Sequence, residues 1–414
     1  MLQTRRPAKG LRTLAPACMA AIAYVDPGNF GVNVAAGANH GYALVWVVVL
    51  ASLIATLVQY LAAKLGVATG LSLAENCRER FGVLTRVLLW LQAELVVVMT
   101  DLAELVGGAI ALNLLFGLPL TVGAVIVAAF SFVVLALRVR GHDGFEPVVL
   151  TLLGIIIVSL LYQTVMAGVD GGALLAGVAP GRLDDSGILL AVGIIGATVM
   201  PHALHFHSAM SRSAPHLPFP ERASLAGLSR LSKSLCSRAS RSTRRSVIVA
   251  MTLAGLANVS IVVFSARLPA GAADSLVLAH EQFTQVGGRL AGVVFAIALL
   301  TSGLASTVVG VYTGQVVMEG FLRRTVSLWL RRLVAILPPL VLLALGLDAT
   351  KALVMSQVVL SFALPGTLIP LVWFTARRSV MGEMVNRQIT SLLAIAASSV
   401  IVGLDGYLLK VTFS

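Results

Sequence analysis

Apolar residues run almost unbroken through segment after segment of this chain, and polar residues collect at the joins. About 20 apolar residues make a helix long enough to cross the hydrocarbon of a bilayer. The pattern predicts eleven such helices, over 12–39, 42–69, 83–116, 119–137, 145–167, 187–211, 246–266, 284–320, 328–346, 351–376 and 388–410. The runs are continuous, whereas strands of a membrane β-barrel alternate apolar and polar positions. Composition agrees with helices in lipid: 58% of residues are hydrophobic, 12% are charged, and mean hydropathy is +0.94. The expected fold class is an all-α polytopic membrane protein.

Two runs are broken at proline. The first reads Ala23-Tyr24-Val25-Asp26-Pro27-Gly28-Asn29-Phe30, the second Ala197-Thr198-Val199-Met200-Pro201-His202-Ala203. Proline removes an amide donor and drives the preceding residue out of the helical region. In hydrocarbon the freed backbone groups must bond within the protein or face a watery cavity. Paired interruptions in two halves of a chain point to a transporter's midplane site. The unwound stretches are expected at 26–29 and 197–200, with Gly28 easing the first.

The formal charge of +12 invites a nucleic-acid reading, but the basic residues fall in alternate connections. Arg5, Arg6, Lys9 and Arg12 precede the first run. Arg78, Arg80 and Arg86 follow the second, Arg138 and Arg140 the fourth, and a basic stretch at 212–245 the sixth. Arg323 and Arg324 follow the eighth run, and Arg377, Arg378 and Arg387 the tenth. The positive-inside rule then puts the N-terminus in the cytoplasm and the C-terminus outside. The predicted organisation is a cytoplasmic segment 1–11, a five-helix half 12–167, a second half 187–376, and an added helix 388–410. An odd number of crossings per half makes the halves inverted relative to each other. The 212–245 connection reads as a solvated cytoplasmic loop, so the expected partner is lipid and not nucleic acid. Cys18, Cys77 and Cys236 have neither disulfide nor metal-ligand spacing. The first run continues past Asp26, so no cleavable signal peptide is expected.

The candidate chemistry sits at the breaks. Asp26 in mid-span costs about 2.5–3.5 kcal/mol to insert, which favours a ligand or proton carrier over a helix cap. Asn29 caps the following helix or shares a cation with Asp26. Met200 occupies in the second break the place of Asp26 in the first, with the Ala197 carbonyl beside it. Carboxylate, amide, carbonyl and thioether suit Mn²⁺ or Fe²⁺ and handicap Mg²⁺ and Ca²⁺, which take only oxygen. Glu94, Asp101 and Glu104 share one helical face, as a proton relay or as partners of Arg331 and Arg332. His202 adjoins the second break and titrates near neutrality when unperturbed. His205 and His207 read as packing residues, and Gln357 as interhelical glue or a ligand.

These residues resemble the Nramp family of divalent-metal transporters. Asp26-Pro27-Gly28-Asn29 resembles its DPGN signature and Met200-Pro201-His202 its MPH signature. The stretches at 191–202, 100–104, 254–258 and 330–333 are also Nramp-like. The resemblance implies the LeuT-type fold, an inverted repeat of two five-helix halves plus an eleventh helix. It implies import of Mn²⁺ or Fe²⁺ with protons, no cofactor, a monomer, and a place in the plasma (inner) membrane. It further implies metal ligation by Asp26, Asn29, Met200 and the Ala197 carbonyl, joined by Gln357 on occlusion. Glu94, Asp101, Glu104, His202, Arg331 and Arg332 would form the proton path, and Asn258 a gate. The chain departs from the family pattern at His142, Asp143, Ala203, His205 and Ser246, and in its Ser/Arg-rich loop.

Four rivals remain: a Mg²⁺ carrier, an amino acid carrier of the same architecture, a metal sensor that does not transport, and a membrane enzyme. Asp26 and Met200 would repel or ignore an amino acid's carboxylate. The sequence holds no HExxH motif and no Ser/His/Asp order for a hydrolase.

Overall fold

The computed structural model describes residues 22–139, 145–213, 229–269, 275–322 and 327–413, and among these the regular elements are helices. A 3₁₀ turn at Ala23–Val25 leads into α1 (Pro27–His40). Then come α2 (Val45–Thr69), α3 (Leu73–Arg80), α4 (Val83–Phe116), α5 (Leu120–Val139), α6 (Phe145–Ala167) and α7 (Gly171–Gly177). The second half holds α8 (Asp185–Thr198), α9 (Pro201–Met210), α10 (Ser229–Ser265), α11 (Leu276–Leu322), α12 (Leu328–Ala344) and α13 (Ala349–Thr375). A single turn, α14 (Arg378–Met381), precedes α15 (Gln388–Phe413).

Among the described residues, eight helices are long and apolar enough to cross a membrane, with Asp185–Met210 counted as one. The other three expected spans fall short for separate reasons. α1 begins at its break, the apolar stretch Leu120–Ala136 is a shorter helix, and α12 has 17 residues including Arg331 and Arg332.

The structure redraws several expected boundaries. The first break ends at Asp26, after the 3₁₀ turn, because Pro27 is pre-set for the first helical position and Asp26 caps it. Gly28 and Asn29 therefore lie inside α1. The second break is limited to Val199 and Met200, and Thr198 is still helical. α10 begins at Ser229, so much of the stretch expected as a loop at 212–245 is helix. Its Leu, Ala, Arg and Lys are good helix formers, which lets the helix run on beyond its apolar part. Residues 214–228 lie outside the described residues, as do residues 1–21, His142 and Asp143. The eighth span is preceded by a helical stretch that joins it at Gly288, whose φ of 77° breaks the helix.

The halves meet at their first helices. α1 packs on α8, α10 and α13, and α13 also packs on α4 and α8. Small residues allow this closeness. A Cβ on Gly196 of α8 would run into the backbone of Gln357 and Ser361 on α13, and one on Gly107 of α4 into the Pro27 ring. Both breaks are thereby buried at the centre of the bundle, with Asp26, Asn29, Ala197 and Met200 all sealed from solvent.

Candidate metal site at the two helix breaks

Asp26 is extended (φ −88°, ψ 172°), and its Oδ1 accepts the Asn29 backbone N–H at 2.8 Å. This caps α1, whose first amides have no helical partner. The cap uses one carboxylate oxygen. Oδ2 is buried with no hydrogen-bond partner among the described residues.

The Asn29 carboxamide joins the two breaks. With its nitrogen turned inward it donates to Asp26 Oδ1 at 2.8 Å and to the Ala197 carbonyl at 3.2 Å. Turned over, its oxygen stands at those same distances from the other two oxygens. That oxygen also accepts the Asp26 backbone N–H at 3.4 Å, and a cation or a proton would relieve the remaining crowding of oxygens. Cis oxygens at an octahedral centre with bonds of about 2.1 Å lie about 3 Å apart. The same three groups thus satisfy one another directly in one amide orientation and fit the edge of a cation's shell in the other. Ala197 lies in the last turn of α8, where carbonyls lack helical donors. Met200, the N-cap residue of α9, contributes no capping bond, and its thioether is fully buried.

Gln357 of α13 closes a third side. Its Nε2 donates to Ser356 Oγ at 2.9 Å, while Oε1 is buried without a partner among the described residues. A Cβ on Gly28 would overlap the Gln357 amide, so that glycine supplies space rather than unusual backbone torsions. Among the described residues no three His, Cys, Asp or Glu side chains cluster as a metal site. The donors that converge here are instead one carboxylate, two amides and a carbonyl, with the Met200 thioether at the second break.

Side chains from neighbouring helices hold the 3₁₀ turn before Asp26. Asn258 Nδ2 donates to the Tyr24 carbonyl at 2.7 Å, and Asn33 Nδ2 donates to Asn258 Oδ1 at 2.9 Å. Ser302 donates to the Val25 carbonyl at 2.6 Å, and the Tyr24 hydroxyl donates to Gln59 at 3.0 Å. Asn258, expected as a gate, is thus tied to the backbone of the turn that precedes the first break. Asn33, Gln59 and Ser302 carried no sequence signal beyond being polar in apolar runs.

The three acids of α4 lead away from the break over about 15 Å, the rise of ten helical residues. Glu104 is nearest: its backbone carbonyl and the Pro27 ring flank the same glycine, Gly303. Ser306 donates to Glu104 Oε1 at 2.8 Å, and Oε2 has no partner among the described residues. Asp101 pairs with Arg332, whose Nε also donates to Ser131 at 2.9 Å. Glu94 pairs with Arg331 at 2.8 Å and accepts from the Trp90 indole at 3.1 Å. Asp101, Arg331 and Arg332 line a small cleft between α4 and α12. The arginines therefore take two of the acids and leave Glu104 without a basic partner of its own among the described residues.

His202 touches the same helix. The Thr100 hydroxyl donates to the Val96 carbonyl at 2.9 Å, so its 3.2 Å contact with His202 Nδ1 takes the ring nitrogen as donor. Its Nε2 is buried with no hydrogen-bond partner among the described residues. His205 packs edge-on against Phe321, and His207 is buried elsewhere on α9.

The Nramp family profile, Natural resistance-associated macrophage protein-like, matches residues 17–410. The chain belongs to the Nramp family. A "Divalent metal cation transporter MntH" from Granulibacter bethesdensis is 41% identical over 410 residues, covering 98% of this chain and 89% of that one. One of the same name from Deinococcus radiodurans is 42% identical over 400 residues, covering 96% and 89%. Among solved structures, the Eremococcus coleocola manganese transporter superposes with a TM-score of 0.80 at 29% identity, covering 98% and 88%. Mhp1, a nucleobase-cation-symport-1 family transporter, shares the fold at 14% identity with a TM-score of 0.55, covering 96% and 93%. This Nramp chain is a multi-pass membrane protein with the LeuT-type fold, and its relatives are named as transporters, not as enzymes.

Proposed function

We propose that this Nramp chain imports Mn²⁺, with Fe²⁺, Co²⁺ and Cd²⁺ as further substrates, in symport with protons across the inner membrane. The observation that carries the reading is the Asn29 carboxamide, which spans from Asp26 in one broken helix to the Ala197 carbonyl in the other. The names of the relatives support it.

In this reading the metal arrives from outside and sheds water to Asp26, Asn29 and the Ala197 carbonyl. Met200 supplies a thioether, which Mg²⁺ and Ca²⁺ bind poorly. Gln357 completes the shell as the site closes. The proton leaves by Asp26 or His202 toward Glu104, then Asp101 and Glu94, on the face of α4 that meets Arg331 and Arg332. The half-helices rock against the rest of a monomer whose N-terminus is cytoplasmic and whose C-terminus is outside.

The test is metal flux into proteoliposomes that enclose a pH dye. Mn²⁺ uptake with acidification of the lumen is expected, with Mg²⁺ and amino acids inert. Equal Mg²⁺ uptake would favour a Mg²⁺ carrier. Mn²⁺ binding with no flux would favour a sensor.

A further inference from the structure

α15, the helix at the last of the expected spans, carries an acid that takes no part in the site just described. Asp405 is only 5% exposed although it lies mid-helix in an apolar segment. The seam between α8, α13 and α15 holds an apolar cluster of Ile188, Val192, Val358 and Leu408. Its Oδ1 accepts a 2.7 Å hydrogen bond from the Ser361 hydroxyl of α13, and Oδ2 has no partner among the described residues. An ionisable side chain inside a membrane helix is costly and marks function by default.

The position of Ser361 gives the bond its meaning. It lies one helical turn after Gln357, and the peptide groups of those two residues are what Gly196 of α8 abuts. Serine within a helix commonly bonds back to its own preceding turn. Here the hydroxyl is directed to a neighbouring helix instead. The resulting chain runs from Asp405 through Ser361 and the 357–361 turn to the Gln357 amide beside Gly28 on one side, and to Gly196, next to Ala197, on the other.

We propose that Asp405 is a positioning residue for Gln357, holding through Ser361 the turn of α13 that presents the Gln357 amide to the metal. The inference rests on the proposed Mn²⁺ site. It needs a hydrogen-bond acceptor at position 405 and no charge, so asparagine serves in its place.

The test uses the full chain in proteoliposomes, with half-saturating Mn²⁺ as the readout. Mn²⁺ uptake by the parent protein is measured first, and its failure would sink the transport reading without bearing on Asp405. Asp405→Ala and Ser361→Ala are each expected to raise half-saturating Mn²⁺ about three- to tenfold, the worth of one buried hydrogen bond. Asp405→Asn is expected to stay within about twofold of the parent. In a Gln357→Ala background Asp405→Ala is expected to add nothing, because its target is already gone. Full additivity with Gln357→Ala would overturn the proposal, as would an Asn variant as impaired as the Ala variant, or no effect of either Ala change. If Asp405→Ala fails to fold, Ser361→Ala in the same cycle carries the test.

Discussion

Removing Arg332 and removing Arg331 should cost the fold very different amounts, although the two arginines are adjacent and each pairs with an acid of α4. Asp101 and Arg332 are 1% and 5% exposed, whereas Glu94 and Arg331 are 23% and 14% exposed. Arg332→Ala leaves the Asp101 carboxylate buried without its base, which costs about 3–5 kcal/mol. Ser131 adds little to that loss, because its hydroxyl still donates to the Ala128 carbonyl at 2.6 Å. Arg331→Ala leaves Glu94 with its Trp90 bond and at a less deeply buried position than Asp101, which places the loss well below that of Arg332→Ala. The penalty for Arg332→Ala comes from stranding a charge, so removing both charges should restore stability. Asp101→Leu with Arg332→Met is expected to regain most of the loss, because apolar replacement of a buried pair is often neutral. Thermal unfolding of the purified proteins in detergent, followed by size-exclusion recovery, ranks the variants. Equal melting of Arg331→Ala and Arg332→Ala would refute the reasoning. So would a double variant as unstable as Arg332→Ala. Proton flux separates stability from function, since the repaired double variant is expected to stay folded and to lose metal-coupled acidification.

The remaining predictions concern selectivity, space and acid stability. Met200→Ala should admit Ca²⁺ or Mg²⁺ that the parent excludes, read by competition against Mn²⁺ uptake; unchanged exclusion would remove Met200 from the selectivity argument. Gly28→Ala should drive a methyl group into the Gln357 amide, an overpacking cost of about 1–3 kcal/mol, and weaken Mn²⁺ binding in isothermal titration. On the connecting helix α3, burial pushes the Glu75 carboxyl up, but bonds from Ser72 and the Arg212 guanidinium outweigh it and hold the group below its ordinary 4.5. A lowered folded-state value stabilises above the unfolded value and is lost as pH falls through the folded one. The melting advantage of the parent over Glu75→Gln should therefore be full at neutral pH and shrink on acidification below about 4.5; a gap that widens in acid would contradict it.

Much of the fold was legible because lipid enforces simple rules. Long apolar runs had to be helices, and Asp26-Pro27 and Met200-Pro201 had to break them. How short each break is was not legible. Capping by Asp26 and the early start allowed by Pro27 end the first interruption at Asp26, and only the packing of α1 on α13 shows that Gly28 serves Gln357. The acids of α4 stood out by spacing, but nothing in the sequence assigned Asp101 to Arg332, Glu94 to Arg331 and Glu104 to Ser306. Those pairings depend on how α4 packs against α11 and α12. Asn33, Ser302 and Asp405 were passed over because a single polar residue in an apolar run has no signature until its partner helix is in place. The helical start of α10 at Ser229 was hidden by charge, since a basic, serine-rich stretch reads as loop when only its polarity is weighed.

The central claim is that the two broken helices together hold the transported ion, one with the Asp26 and Asn29 oxygens and the other with the Ala197 carbonyl and the Met200 sulfur. X-ray absorption at the Mn edge of the Mn²⁺-loaded protein tests this directly. The expected result is a shell of oxygen neighbours with one sulfur, which loses the sulfur in Met200→Ala and loses bound metal in Asp26→Ala. An all-oxygen shell unchanged by Met200→Ala, or full Mn²⁺ loading of Asp26→Ala, would contradict it.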